Sequence, residues 1–259
     1  SISSSPSNLG AFFHNTLYKK LKINYLYMPM KVKKNVSLNK VITFIKEFNI
    51  KGCSVSMPHK IKIIKYLDKI DKTAKQINSI NTILNKNNKL IGFNTDYIAV
   101  SKILSKINLK NKKILILGNG GMANVFKYYF SKKKIKITIV NRKIKKNSKQ
   151  VEYIKFSSIN NINFNNTLLI NCTPIGMDHV KKKNLFKLKN LKQTTFVIDC
   201  VAKPTQTNLI RFCKKNKINF IPGIEISYLQ SYEQFKIYTN LNIRLNMKRK
   251  YISYCEKLN

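Results

Sequence analysis

At 259 residues, 43% of them hydrophobic, the chain can bury one substantial core or two smaller ones. Its formal net charge of +40 attracts polyanions in general, but only four of the 50 basic residues are arginine (Arg142, Arg211, Arg244, Arg249) and the lysines are dispersed among Asn, Ile, Tyr and Phe. Residues with codons rich in A and T account for that composition, so no specific nucleic-acid partner is expected.

Ser1-Ile2-Ser3 reads as the end of a strand already under way, so a natural start upstream is expected. Phe12, Phe13, Thr16, Leu17 and Leu21 then fall on one helical stripe, and Tyr25 to Met28 reads as a short strand. Ser37 is placed to cap a helix carrying Val41, Ile42, Ile45 and Phe48. Ile50 to Met57 is the next expected strand, Pro58 can open a following helix, and Ile80 to Leu84 pairs with Leu90 to Phe93 across an Asn-rich turn. From Lys112 a second unit begins, with the apolar run Ile114-Leu115-Ile116-Leu117, glycines, and a helical segment from Met122 to Phe130. Strands are expected at 135 to 140, 166 to 171 and 195 to 199 with helices between them, giving an α/β chain with a parallel sheet. The basic runs Lys143 to Ser148 and Lys181 to Lys183 read as solvated loops, and two helices near 224 to 238 and 241 to 256 close the chain.

The five cysteines (53, 172, 200, 213, 255) form no CxxC pair and lie mostly in apolar runs. They read as buried, reduced thiols in a cytoplasmic protein, with neither a disulfide frame nor a metal site. No apolar run approaches the roughly 18 residues of a membrane span, so no membrane partner is expected.

Gly118-Asn119-Gly120-Gly121-Met122-Ala123 has the GxGxxA spacing between a strand and a helix. There, glycines allow a tight turn and close approach to a pyrophosphate, and the helix start offers unbonded N–H groups. An NAD-preferring site usually places an acid at the end of the next strand, beside the ribose 2′-hydroxyl. This chain has Asn141-Arg142-Lys143, and an arginine fork suits a 2′-phosphate, so NADP is favoured.

At this point the chain resembles the shikimate dehydrogenase family over nearly its whole length. The resemblance rests on Ser-Val-Ser-Met-Pro-His-Lys (54 to 60), Ser79-Ile80-Asn81-Thr82, Gly92-Phe93-Asn94-Thr95-Asp96, the glycine loop, Asn141-Arg142-Lys143, Asn171 through Met177, and Gly223 through Gln230. Within the family it is most similar to the divergent shikimate-dehydrogenase-like branch, through Ser5-Pro6-Ser7-Asn8-Leu9-Gly10, Tyr97-Ile98-Ala99 and Asp199-Cys200-Val201-Ala202. The resemblance implies a substrate domain of residues 1–102 and 224–259, its C-terminal helices returning to the N-terminal part, and an inserted Rossmann-type NADP domain of residues 103–223. It also implies reversible NADP-linked reduction of 3-dehydroshikimate to shikimate, a step of chorismate and aromatic amino-acid biosynthesis, by a monomer or homodimer with its active site in the cleft. Matched motif by motif, Lys60 and Asp96 become the catalytic pair, and Asn81, Gln230, Ser56, Ser5 and Ser7 become substrate ligands. Besides the loop and residues 141 to 143, Thr173, Pro174, Cys200 and Gly223 fall on the cofactor side.

The residue types suit the chemistry. Hydride leaves an alcohol carbon only as the hydroxyl proton is removed, and a lysine whose pKa falls towards neutrality can take it. Asp96 would hold the ammonium, and it stands out among only ten acids; Asp68 and Asp71 read as solvated partners of helix lysines, and Asp199 as a structural hydrogen-bonding group at a strand end. Asn81 and Gln230 carry donors and acceptors suited to a polyhydroxylated ring, or equally to a turn and a helix face. His59 adjoins Lys60 but points elsewhere on a helix start, His14 packs with Phe12 and Phe13, and His179 falls in a loop. Ala202 replaces a tyrosine that touches substrate in most shikimate dehydrogenases. That leaves open a quinate or shikimate-like dehydrogenase of low activity, or a non-catalytic binding protein of the same fold.

Overall fold

The computed structural model describes residues 1–144, 146–178, 180, 188–243 and 246–257. The chain divides into two compact units, Ser1–Ala99 with Tyr228–Tyr254, and Val100–Ser227 with Cys255–Asn259. Two of these divisions fall a few residues from the expected domain limits and the third, before Cys255, matches none of them; all three lie inside continuous helices, where no Gly, Pro or turn marks them in sequence.

The first unit opens with β1 (Ile2–Ser3), α1 (Leu9–Lys20), β2 (Met30–Lys31) and α2 (Leu38–Glu47). Leu9, Phe13, His14, Leu17 and Tyr18 form the buried stripe of α1, and Phe12 lies beside it, stacked on Tyr254 at 3.8 Å. The expected stripe is therefore rotated, and Leu21 is the C-cap. Tyr25 to Met28 forms no strand: Leu26 and Met28 are 74% and 58% exposed, and the N–H and carbonyl of Tyr27, whose ring packs inward on His14, are both taken by the Asn15 side chain instead of a neighbouring strand. Ser37 occupies the N-cap of α2 without a side-chain capping bond, and Phe48, just past the helix, is exposed.

Next come β3 (Gly52–Ser54), β4 (Lys69–Ile70), α3 (Lys72–Ile77), β5 (Thr82–Lys86), β6 (Lys89–Phe93) and α4 (Thr95–Leu104). The strands form one sheet in the order β3-β5-β6-β4, and Ile2 bridges to Val55 beside it. Only the middle of the expected Ile50–Met57 strand is in the sheet, and turns with a short 3-10 segment, Lys62–Tyr66, follow Pro58 instead of an α-helix. The β5–β6 hairpin matches expectation, with Asn87 and Asn88 at φ 52° and 61°, the sign that tight hairpin turns require. Asp68 is exposed and pairs with a helix lysine, as expected, though it lies outside any helix itself, whereas Asp71 is no solvated partner of lysines. Asp71 caps α3 by accepting from Thr73 N–H and Ala74 N–H, and Asp68 accepts from Leu90 N–H while pairing with Lys46. Ile2, Ile42, Ile45, Ile63, Ile80, Ile83 and Leu90 fill the core between α2 and the sheet.

The second unit carries β7 (Lys113–Leu117), α5 (Gly121–Lys132), β8 (Ile137–Asn141), β9 (Val151–Lys155), β10 (Thr167–Asn171), β11 (Phe196–Asp199), α6 (Asn208–Lys215) and β12 (Asn219–Pro222). All six sheet strands are parallel, in the order β12-β11-β10-β7-β8-β9. The continuous apolar runs expected as strands are here β7, β8, β10 and β11, the four inner strands, buried on both faces. The two edge strands were not expected. Val151-Glu-Tyr-Ile-Lys155 and Asn219-Phe-Ile-Pro222 mix polar and apolar residues because each has a neighbour on one side only, and β9 with a 3-10 turn replaces the helix expected between β8 and β10. The chain ends with α7 (Gly223–Thr239) and α8 (Lys248–Lys257), the latter starting later than expected. Residues 143, 144 and 146 to 148 are exposed, whereas His179 and Lys181 to Lys183 lie outside the described residues. Among the described residues no helix is long and apolar enough to cross a membrane.

Candidate active site

In the first unit three segments bring polar side chains to one end of the sheet. Register sets Ser54 opposite Thr82 and Thr82 opposite Phe93. Because β3 and β6 both run antiparallel to β5, the exit of β3, the entry of β5 and the exit of β6 coincide. Lys60 follows the first, Asn81 precedes the second and Asp96 follows the third. Lys60 O accepts from Ile80 N–H, and Asn94 caps α4 by accepting from Tyr97 N–H, which places Asp96 in the first helical turn, where unbonded N–H groups favour a carboxylate.

Lys60 Nζ donates to Asp96 Oδ2 at 2.5 Å, with side chains 19% and 7% exposed. Beside this pair Asn81 Nδ2 donates to Thr95 Oγ1 and Gln230 Oε1, and Asn81 Oδ1 accepts from Thr95 N–H and Thr82 Oγ1. A second layer supports Asn81. Gln234, one helical turn beyond Gln230, donates to Asn81 O and Thr82 Oγ1 and accepts from Ser54 Oγ, which also meets Tyr27 and Tyr238. Every group in this buried chain has a partner, the condition under which a polar network rigidifies a core. Ser56, Ser5 and Ser7 are exposed. His59 is buried with Nε2 on Val32 O, and His14 is packed among aromatic rings.

In the second unit the glycine loop leaves β7 at its C-terminal end, where the sheet order turns from β10 to β8. That reversal is where open parallel sheets bind ligands. Gly118 has φ +94°, and a Cβ there would meet Thr173 Cγ2 at 3.1 Å and the Cys172 carbonyl at 3.3 Å. Gly120 differs: a Cβ would meet nothing within 4 Å, so no packing within the protein demands a glycine. It is the N-cap of α5 and presents bare backbone at the helix start. Gly121 opens α5, Ala123 packs into the core, and Asn119 Oδ1 accepts from Lys127. Arg142 and Lys143 are exposed just past β8, with Lys143 O accepting from Asn141 Nδ2.

Across the sheet's C-terminal edge Asp199 is fully buried, accepting from Asn171 Nδ2, Val201 N–H and Thr207 Oγ1. Burial outweighs these three bonds and pushes its carboxyl up to about 6. Asn171 Oδ1 in turn accepts from Thr173 N–H and Oγ1, fixing the turn that leads to Pro174. Gly223 opens α7 against the Val201 backbone, where a Cβ would lie 2.4 Å from both carbonyl atoms. Gly223→Ala is therefore expected to destabilise the second unit by about 1–3 kcal/mol, seen as a lowered urea midpoint; an unchanged midpoint refutes the contact. Among the described residues no cluster of three His, Cys, Asp or Glu side chains is arranged to hold a metal.

Residues 2–83 match the family description "Shikimate dehydrogenase substrate binding domain", and residues 99–210 match "Shikimate / quinate 5-dehydrogenase". A shikimate dehydrogenase-like protein of Haemophilus influenzae is 35% identical over 245 residues, covering 93% of this chain and 89% of that protein. The chain belongs to the shikimate dehydrogenase family. The shikimate dehydrogenase (NADP(+)) of Methanococcus maripaludis is likewise 35% identical, over 92% of this chain and 90% of its own length. A solved shikimate dehydrogenase in complex with NADP+ superimposes with a TM-score of 0.81 at 30% identity, covering 95% of this chain and 90% of its own.

For a shikimate dehydrogenase family member, the geometry gathers Lys60, Asp96, Asn81 and Gln230 into one cluster and leaves Ser5, Ser7 and Ser56 at the surface. It adds groups that sequence reasoning passed over: Thr95, inside a motif already singled out, and Gln234, signalled only by its helical spacing from Gln230. Ala202 is partly exposed, its carbonyl facing the Cys255 thiol at 3.8 Å.

Proposed function

We propose that this chain catalyses the reversible, NADP-dependent reduction of 3-dehydroshikimate to shikimate, in the cytoplasm, as a monomer or homodimer. Residues 1–102 and 224–259 form its substrate part and residues 103–223 its cofactor part. The observation that carries the reading is the short Lys60–Asp96 ion pair beside the Asn81–Thr95–Gln230 amide and hydroxyl cluster, in a chain of this family.

The two residues divide the proton chemistry. Lys60 takes the hydroxyl proton of the alcohol during oxidation and returns it to the carbonyl oxygen during reduction. Asp96 fixes the ammonium in direction and distance, so that the transfer needs little reorganisation. Asn81 and Gln230, held by Thr95 and Gln234, orient the ring hydroxyls. NADP, when bound, accepts or supplies the hydride.

The second unit fits that cofactor. Gly118 permits the tight turn, Gly120 gives a pyrophosphate open approach to backbone N–H groups of Gly121, Met122 and Ala123, and Asn119 borders the loop. Asn141, Arg142 and Lys143 lie past the neighbouring strand, at the place of the ribose 2′-phosphate. Thr173, Pro174, Cys200 and Gly223 occupy the other side of the switch point.

Spectrophotometric assay of NADP reduction with shikimate tests the reading, and no turnover of shikimate at any pH removes it. Turnover of quinate alone transfers the same chemistry to a different substrate. Arg142→Ala is expected to raise the KM for NADP about tenfold or more while leaving that for NAD nearly unchanged, as loss of a charge-assisted contact to a phosphate does. Equal effects on both cofactors would mean that Arg142 does not read the 2′ position.

A further inference from the structure

All five cysteines are thiols, and two of them stand side by side. Cys172 and Cys200 each follow the last residue of a strand, and those strands, β10 and β11, are parallel neighbours with Asn171 opposite Asp199. The backbone holds both positions, Cys172 N–H donating to Leu117 O and Cys200 N–H to Asn171 O, each at 2.9 Å. Their sulfurs are 3.9 Å apart. Cys53, Cys213 and Cys255 are buried, whereas this pair is partly exposed. Neighbouring strands lie about 4.8 Å apart, within the roughly 4.4–6.8 Å between Cα atoms that a disulfide spans. Closing the sulfurs to about 2.05 Å therefore needs rotation of side chains and no shift of the strands.

We propose that Cys172 and Cys200 form a dithiol modification site, which a low-molecular-weight disulfide of the glutathione type oxidises to an intramolecular bond. One cysteine, as thiolate, attacks the small disulfide and expels one small thiolate, leaving a mixed disulfide on the protein. The second thiolate attacks the protein sulfur of that bond and expels the other half. The protein gives up two electrons and two protons, and the small disulfide becomes two thiols. The partial exposure of the pair admits the reagent, and the adjacency of the sulfurs favours closure over a lasting adduct.

The site also sits against the glycine loop. The Cys172 carbonyl and Thr173 are the groups that a Cβ on Gly118 would strike. Resting on the dinucleotide reading of that loop, bound NADP covers the pair and protects it.

The test treats the reduced full-length chain with oxidised glutathione, blocks remaining thiols, and maps peptides by mass spectrometry. Accessible thiols after denaturation are expected to fall from five to three, with a Cys172–Cys200 linked peptide that dithiothreitol releases. Cys172→Ser and Cys200→Ser are each expected to stop at a glutathione adduct on the remaining partner, and Cys213→Ser to keep the linked peptide. Lasting adducts on both cysteines, a bond to a different cysteine, or no reaction overturns the proposal. Saturating NADP is expected to slow bond formation at least fivefold. If NADP binds without slowing it, the protection is wrong. If NADP does not bind, as read by fluorescence titration, the cofactor reading fails and the linked peptide still decides the dithiol site.

Discussion

Lys60→Ala is expected to lower kcat for shikimate oxidation by about 10²–10⁴-fold, the usual contribution of a positioned acid–base group. The binding of NADP, measured separately, should stay near the wild-type value, because the glycine loop and Arg142 belong to a different part of the chain. Asp96→Asn should lose activity on the same scale for a different reason. The amide keeps the size and a hydrogen bond, but Lys60 loses the charge that fixes its ammonium at 2.5 Å. The split between them is informative: external amines of graded pKa should restore part of the rate to Lys60→Ala and none to Asp96→Asn. Wild-type rates in both variants would sink the catalytic pair, while a loss of rate accompanied by unfolding in the far-UV spectrum would show a structural effect only.

The second large effect is on stability. His14 is fully buried between aromatic rings, stacked on Tyr27 at 4.5 Å, and burial pushes its pKa from 6.5 down to about 3. Gln234 lies close enough to offset part of that cost, yet neither ring nitrogen makes a hydrogen bond of good geometry. In the unfolded chain the imidazole takes up its proton near 6.5, in the folded protein only near 3. Between those values the unfolded state binds more protons, so stability is full above pH 6.5 and falls as the pH drops. By pH 4 the loss reaches about 3 kcal/mol. Asp199 acts with the opposite sign: its raised pKa means that the folded state holds the extra proton between 3.8 and about 6, which adds stability on acidification in the second unit. His14→Phe keeps a ring against Tyr27 and should flatten the pH dependence of the first unit. Urea unfolding at pH 7 and pH 4, followed by the near-UV signal of the tyrosine cluster, checks it; equal losses in wild type and variant would show that His14 does not drive acid unfolding.

What the sequence by itself determined is what short-range physics controls. The apolar run 114–117 must be a buried strand, Gly118 to Ala123 must turn from it into a helix, and Asn87-Asn88 must close a hairpin. Seven motifs in order also sufficed to place the family and to single out Lys60 and Asp96. The tertiary structure alone decided which of the matched residues meet. Lys60 and Asp96 are 36 positions apart, and they touch because β3, β5 and β6 pair in one register with their relevant ends together. Ser5 and Ser7 matched the family's N-terminal serine pair less securely, with a longer spacing to His14, and lie exposed. The edge strands β9 and β12 escaped notice because one-sided pairing leaves little apolar period to read, and Asp71 passed for a solvated acid because capping depends on where a helix begins. Cys172 and Cys200 looked like two unrelated buried thiols, separated by 28 residues. Composition and periodicity report each segment's own preference, whereas the distance between two sulfurs is fixed by the pairing of strands that sequence does not order.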